Sequence, residues 1–506
     1  MLDSLDLLPL LFLILLVISI ISSFILLYPN TPLSYIHIHV GLSALAPSVA
    51  LIALFFSNER TAFGPLNFDS LSWLVAFFVL TIGLIVQRYC IHYLFGDNAY
   101  RKYFVLLTFT TVADSVAWLS NDLRLLLFCW GATLLGLTLL IRLQKQWDVA
   151  RNAAKYCGSL FALSWGALTI AVMWITKATK QWQLSNVLSP NNLLQLESWE
   201  RMCISLLIIL AVVIPEAQWP FHRWLLDSVV APTPISAIMH AGIVNAGGIM
   251  LTLFAPIFYG NFVQMILLVF SSISVLIGTG IMLVQVDYKR QLVGSTIAQM
   301  GFMLIQCALG AYLAAMIHAV LHGLFKATLF LQAGSVNYEK KSFICPKKPS
   351  FLTYITGGVI GLLVGLGFWF ISSEDGYQLV SSFILGWSVS LAWMQLIMLR
   401  SSKVGLIVGV TMLVGVGSVY FFIHHLLHNL LSEIVQKSIQ PPFIAAILLV
   451  FLLLLASVVG IFLTRYRLSK VYTIIYLWLV RLGEPHLKVI ESHPGYLTQM
   501  FSRGGK

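Results

Sequence analysis

Charge is what this sequence has least of. Of its 506 residues, 10% are Asp, Glu, Lys or Arg, where a soluble domain carries about 25%. Hydrophobic residues make up 59% and the mean hydropathy is +0.90, which excludes a soluble globular chain. Cysteine is scarce and dispersed: Cys90, Cys129, Cys157, Cys203, Cys307 and Cys345 stand singly, with no C-x-x-C pair and no evenly spaced framework. Neither a zinc or iron–sulfur site nor a disulfide scaffold is suggested, and the cysteines read as small apolar residues. A glycine-rich phosphate loop and a dinucleotide fingerprint are both missing, so no nucleotide, flavin or other resident cofactor is expected. The opening MLDSLD lacks the basic region of a cleaved signal peptide, so the apolar run from Leu8 is expected to stay as a helix.

What the chain has instead is apolar length. Runs long enough to cross a bilayer begin near Leu8, His37, Ser70, Tyr103, Leu125, Tyr156, Met202, Pro234, Phe262, Gln291, Gly310, Phe351, Leu379, Gly405 and Phe443, about fifteen helices in an all-α polytopic membrane protein. Cations fall on alternate loops: Arg88, Arg101 and Lys102, then Arg142, Lys145, Arg151 and Lys155, then Lys289 and Arg290. Lys340, Lys341, Lys347 and Lys348, then Arg400 and Lys403, then the tail from Arg465 continue the pattern. The positive-inside rule then places the N-terminus outside and the C-terminus in the cytoplasm. This topology explains the net charge of +11, and nucleic acid is not needed as a partner.

Ionisable groups inside the spans are few. Asp114 in LTFTTVADSVAWL and Glu216 in VVIPEAQWPFHRWL are the acids well within apolar runs, with Asp227 near a span end. His240 lies in SAIMHAGIVNAGG, and IHAVLHGLFKATLF carries His318, His322 and Lys326 at spacing four and four. On a helix those three side chains fall within an arc of about 80° and climb roughly 12 Å, forming one polar stripe. Charges at a helix centre cost about 2.5 to 3.5 kcal/mol on insertion scales, so such groups face a protein interior or a wet cavity. Acids, imidazoles and an amine together suit a cation pathway, since neutral imidazole accepts and passes a proton near neutral pH. Each also has a plainer role. Asp114 could bond a neighbouring helix, His240 could be a satisfied core imidazole, and Lys326 could snorkel, although neither end of its span is near. Pro215 and Pro220 flank Glu216 and are expected to break the helix there, and a broken helix in a bilayer usually lines a cavity.

Two blocks, PEAQWPFHRWLLDSVVAPTPISAIMHAGIVNAGG and DYKRQLVGSTIAQMGFMLIQCALGAYLAAMIHAVLHGLFKATLFLQAGSV, cover about Pro215 to Val336. They resemble the antiporter-like membrane subunits shared by respiratory complex I and Mrp-type sodium/proton antiporters, and FDSLSWLVAFFVLTIGLIVQRYCIHYL from Phe68 extends the likeness. The resemblance implies an antiporter-like fold of two inverted five-helix repeats, each with a broken helix. The expected division is N-terminal helices at 1–101, a first repeat at 102–258, a second at 259–400, further helices at 401–464 and a basic amphipathic tail at 465–506.

Several residues depart from that pattern. The glutamate the family carries after a span-5 tryptophan is Gly131 behind Trp130, and the lysine at the break is Pro215 beside Glu216. A lysine of the second repeat becomes Ser373 in SSED. These departures, the HAGIVNAGG wording and the tail VRLGEPHLKVIESHPGYL look most similar to the DabB family, membrane subunits of the DAB inorganic-carbon accumulation system. That resemblance implies a DabA-like cytoplasmic zinc partner that hydrates CO2 to bicarbonate, with protons or sodium flowing through the membrane chain. Catalysis and zinc would then belong to the partner, and this chain would be a transporter subunit and not an enzyme. The alternative is a proton- or sodium-translocating subunit of a complex I-like or Mrp-type complex. Expected pathway residues are Asp114, Glu216, His240, His318, His322 and Lys326. Expected docking residues are Lys340, Lys341, Arg481, Lys488 and Tyr496, because the tail mixes aromatic and charged residues.

Overall fold

A computed structural model describes residues 7–56, 60–144, 147–260, 262–334, 351–371, 378–398, 403–431, 445, 447–455, 466 and 468–485. Nine helices among the described residues are long and apolar enough to cross a membrane. They include Leu7–Ile25, Ser70–Tyr93, Leu123–Arg142, Val263–Val284 and Tyr312–Ala333. The expected spans near Tyr103 and Gln291 are helices at Tyr100–Leu119 and Tyr288–Ala308. A short antiparallel hairpin, Thr61–Phe63 with Leu66–Phe68, adds a small strand element, its turn made by Gly64 at φ +59°. Phe68 of that hairpin joins Phe12 and Trp73 in an aromatic cluster with ring centroids 4.8 to 6.3 Å apart.

Many acids outside the apolar interior start helices. Asp69 Oδ1 accepts Ser72 N at 2.8 Å, Asp122 Oδ1 accepts Arg124 N at 2.8 Å, and Asp287 Oδ1 accepts Lys289 N at 3.1 Å. Glu197 and Glu200 form a reciprocal capping box at the start of Ser198–Val213. Each satisfies amide donors that the first helical turn leaves unpaired.

The helix Ser198–Val213 stops where the prolines predict, and the chain resumes helical geometry at Arg223–Asp227. Between them Ala217 sits at φ +53°, a left-handed conformation that ends regular hydrogen bonding. The freed backbone groups find other partners. Val213 O accepts Gln218 N at 2.9 Å, Ile214 O accepts Trp224 Nε1 at 2.7 Å, and Gln218 Nε2 donates to Glu216 O at 2.8 Å. That compensation lets irregular backbone lie in an apolar interior. A second interruption was not apparent from apolar periodicity. The span from Thr233 ends its first helix at Ala241, passes through Gly242 and a 3-10 turn at Ile243–Asn245, and continues as Ala246–Leu253.

The turns gather on two faces. On one, Tyr93, Asp97, Gln144, Pro232 and Lys289 line a cavity of about 510 Å³. An adjoining cavity of about 290 Å³ is lined by Trp147, Asp227, Asp287, Lys289, Arg290 and Pro485. On the other face Pro65 O accepts Asn121 N at 2.9 Å and Trp182 O accepts Leu123 N at 3.0 Å.

Candidate functional site

The stripe helix Tyr312–Ala333 packs against Thr233–Ala241 and Tyr288–Ala308, and this places the polar residues of three helices together. Lys326 is fully buried and its Nζ donates to Leu292 O at 3.0 Å. Thr296 Oγ1 donates to the same carbonyl at 3.0 Å and lies 3.1 Å from His240 Nδ1. The His240 ring stacks on Phe330, centroids 4.2 Å apart and planes 14° apart. His322 Nδ1 lies 3.2 Å from Asn245 Oδ1, on the second interruption, and His318 Nδ1 lies 3.2 Å from Gln306 Oε1. The His318 and His322 centroids are 6.1 Å apart, and His322 is within electrostatic reach of His240 and Lys326. No carboxylate pairs with Lys326 in any ion pair among the described residues. A buried amine held by one neutral carbonyl is costly unless it exchanges its proton or its partners in use.

Glu216 lies in the first interruption and is fully buried. Its carboxylate faces Gly247 and Gly248 of the helix that begins just after Asn245. A Cβ at Gly247 would stand 2.0 Å from Glu216 Oε1, so only glycine leaves room for the acid. The carboxylate is thus set beside the segment whose Asn245 holds His322. The two broken helices and the stripe thus bring buried polar groups into one apolar interior.

Asp114 is bonded within its own helix. Its Oδ1 accepts Trp118 Nε1 of its own helix at 2.8 Å, and Trp118 packs on Trp130 at 5.2 Å. Gly131 explains the missing family glutamate. A Cβ there would lie 2.7 Å from Trp165 Nε1, and that indole donates to Leu127 O at 2.9 Å, so the space an acid would use is filled. Of the expected docking residues, Arg481 lies in the helix Lys470–Gly483, while Lys340, Lys341, Lys488 and Tyr496 lie outside the described residues, as does Ser373. The Lys470–Gly483 helix packs on the chain itself. Leu479 abuts Gly280, Gln285 Nε2 donates to Gly483 O at 2.9 Å, and His222 Nε2 meets Leu482 O at 3.1 Å beside the first interruption.

An inventory of charged side chains passes over Asn245, Thr296, Gln306 and Gln218, all of them buried polar partners. Asn245 sits in HAGIVNAGG, and a buried amide next to a glycine pair was the signal available. Another buried imidazole, His39, was also missed. Its ring nitrogens lie 3.1 Å from Ser22 Oγ and 3.0 Å from Thr108 Oγ1. Among the described residues no three His, Cys, Asp or Glu side chains gather as a metal site.

A broken, glycine-cradled acid beside a buried lysine–histidine stripe, in a chain of membrane-length helices, defines an antiporter-like polytopic membrane subunit. Residues 120–402 match the family model described as NADH:quinone oxidoreductase/Mrp antiporter, TM, and residues 64–104 match that of NADH-Ubiquinone oxidoreductase (complex I), chain 5 N-terminus. The Mrp complex from Dietzia sp. DQ12-45-1b has the same fold over 98% of this chain, with a TM-score of 0.66 and 19% identity, and this chain spans 59% of that one. Within this class the chain belongs to the DabB family. It is 55% identical to the "Probable inorganic carbon transporter subunit DabB" of Bacillus anthracis, over 96% of this chain and 95% of that protein. It is also 55% identical to the protein so named in Bacillus subtilis (strain 168), over 95% and 96%.

Proposed function

We propose that this chain is the cation-conducting membrane subunit of a two-component inorganic-carbon uptake complex, with the proton as the first candidate ion and sodium the second. The observation that carries this reading is the buried set of Glu216, Asn245, His322, Lys326 and His240, in a chain that aligns almost end to end with inorganic carbon transporter subunits. In this proposal the chain sits in a bacterial inner membrane with its N-terminus outside, and the face of Lys289 and Arg290 is cytoplasmic. Lys289 lines both cavities there and lies three residues before Leu292, so the vestibule would open next to the carbonyl that holds Lys326. The unit of function is the pair of inverted repeats, 102–258 and 259–400, within about fifteen helices.

The soluble partner is a DabA-like zinc protein on the cytoplasmic side that hydrates CO2 to bicarbonate, so catalysis and zinc lie there. One charge crossing about 150 mV releases roughly 3.5 kcal/mol, about 350-fold in an equilibrium, enough to make hydration effectively one-way. The broken segment Ile214–His222 is the natural moving element, since it touches the C-terminal helix through His222. Docking is proposed on that tail and on the basic loop of Lys340 and Lys341.

The fold shared with Mrp favours one other role, a proton- or sodium-translocating subunit of an Mrp-type or complex I-like assembly. The filled space at Gly131 weighs against it, because the acid used by that class has no room here. Affinity purification from the native membrane, with metal analysis of the proteins that co-purify with the chain, decides between the two. A stoichiometric zinc-bearing soluble protein supports carbon uptake, and a set of antiporter or quinone-reductase membrane subunits overturns it.

A further inference from the structure

We propose that Asn245 and Thr296 are positioning residues that hold His322 and His240 as Nδ1–H tautomers, so that each of these rings takes up and releases a proton at Nε2 alone. The assignment rests on donors and acceptors already committed. Asn245 Nδ2 donates to Ala241 O at 2.6 Å, and Asn245 Oδ1 faces His322 Nδ1 at 3.2 Å. Turning that amide over would set two oxygens 2.6 Å apart, so its orientation is determined. An amide oxygen only accepts, and His322 Nδ1 therefore carries a hydrogen.

Thr296 leads to the same result for His240. Its hydroxyl hydrogen goes to Leu292 O at 3.0 Å, leaving oxygen lone pairs to accept from His240 Nδ1 at 3.1 Å. Leu292 O, a carbonyl inside the Tyr288–Ala308 helix, also receives Lys326 Nζ at 3.0 Å. The opposite nitrogens, Nε2 of His240 and of His322, are buried without a hydrogen-bond partner among the described residues.

The consequence concerns how the cluster works and rests on the conducting role proposed for this chain. A proton that binds Nε2 cannot leave through Nδ1. The acceptor there is an amide oxygen in one case and in the other a hydroxyl whose own hydrogen is held by a carbonyl, and neither is a base near neutral pH. Each ring is therefore one-ended. An N–H bond forms at Nε2, giving an imidazolium whose Nδ1–H stays on its acceptor, and that same Nε2–H bond breaks when the proton moves on. Transfer runs among the Nε2 atoms, the Lys326 amine and intervening water, while the Leu292 carbonyl ties Lys326 to the residue that orients His240.

The test uses the full chain with isotope-labelled histidine in lipid bilayers, reading the ring nitrogens by solid-state NMR, with His240→Gln and His322→Gln to assign signals. Wild type should show protonated Nδ1 and bare Nε2 at both rings. Thr296→Val keeps the shape but removes the acceptor and should release His240 alone to the other tautomer, whereas Thr296→Ser keeps it. Asn245→Leu should do the same to His322, whereas Asn245→Asp retains an acceptor and should keep the Nδ1–H form. Dye-reported proton flux into vesicles should fall about a hundredfold in Thr296→Val and hold in Thr296→Ser. Nε2–H rings in wild type, or an unchanged His240 tautomer in Thr296→Val, overturn the assignment. The expected tautomers without any proton flux in wild type uphold the assignment and overturn the conducting role.

Discussion

His39 and His322 are both buried imidazoles in the same kind of apolar surroundings, and their hydrogen bonding differs. His39 meets a hydroxyl at each nitrogen, Ser22 on one side and Thr108 on the other, and Gln87 Nε2 also reaches Thr108 at 3.3 Å. His322 meets Asn245 at one nitrogen and nothing among the described residues at the other, and His240 repeats that arrangement. Full satisfaction of a buried polar group is how a structure fastens helices together, and half satisfaction leaves a group able to exchange a proton or a water. By this measure the N-terminal polar cluster has the bonding of a fastening, and the cluster around Lys326 has the open valences that the proposed pathway requires.

The largest expected effect breaks the comparison from the working side. Lys326→Ala and Glu216→Gln should each abolish growth that depends on carbon uptake at ambient CO2 while leaving normal amounts of protein in the membrane. Removing the amine also removes a burial cost, so the thermal midpoint of Lys326→Ala should not fall. Air-grown cultures of both variants matching wild type would put the pathway elsewhere.

Gly247→Ala comes next. With a methyl group forced to within 2.0 Å of Glu216 Oε1, the acid must turn away, and an ångström-scale displacement should reduce transport by about a hundredfold. Glu216→Asp in the same background shortens the acid and should restore part of the flux, an outcome simple misfolding would not produce.

For the fastening cluster the expectation reverses. His39→Leu removes one bond from each of Ser22 and Thr108, which keep Tyr35 and Gln87, and should lower stability by about 0.5 to 1.5 kcal/mol, seen as a lower unfolding midpoint in detergent, with proton flux per inserted molecule retained. Loss of flux at full stability would move His39 into the pathway and erase the distinction between the two clusters. The smallest effect is expected at Asp114. Asp114→Asn still offers an oxygen to Trp118 Nε1, so growth and flux should stay within about twofold of wild type. A null phenotype there would restore Asp114 to the pathway its sequence position suggests.

Much of this was legible residue by residue. The stripe of His318, His322 and Lys326 follows from helical periodicity, and the break beside Glu216 follows from Pro215 and Pro220, because both are properties of the local backbone. Gly131 was recognisable as a departure, but the indole of Trp165 that fills its space was not. The interruption at Gly242–Asn245 lay hidden within an apolar run, since hydropathy reports the solvent of a segment and not its hydrogen bonding. Asp114 and Glu216 looked alike as lone acids in apolar spans, yet one bonds a tryptophan four residues along its own helix and the other lies under glycines from a different helix.

By itself the sequence determined that this chain dissolves in a bilayer, where the proline-marked break falls, and which ionisable side chains share a helix face. Those are consequences of composition and of contacts within a turn or two. Which nitrogen of each imidazole is held, which carbonyl Lys326 shares with Thr296, and which glycine makes room for Glu216 were decided only by tertiary structure. The partners come from other helices, with Asn245 lying 77 residues from His322, Thr296 56 from His240, and Leu292 34 from Lys326. A hydrogen bond across such separations exists only once packing has brought two helix faces together, and no local rule of spacing contains it.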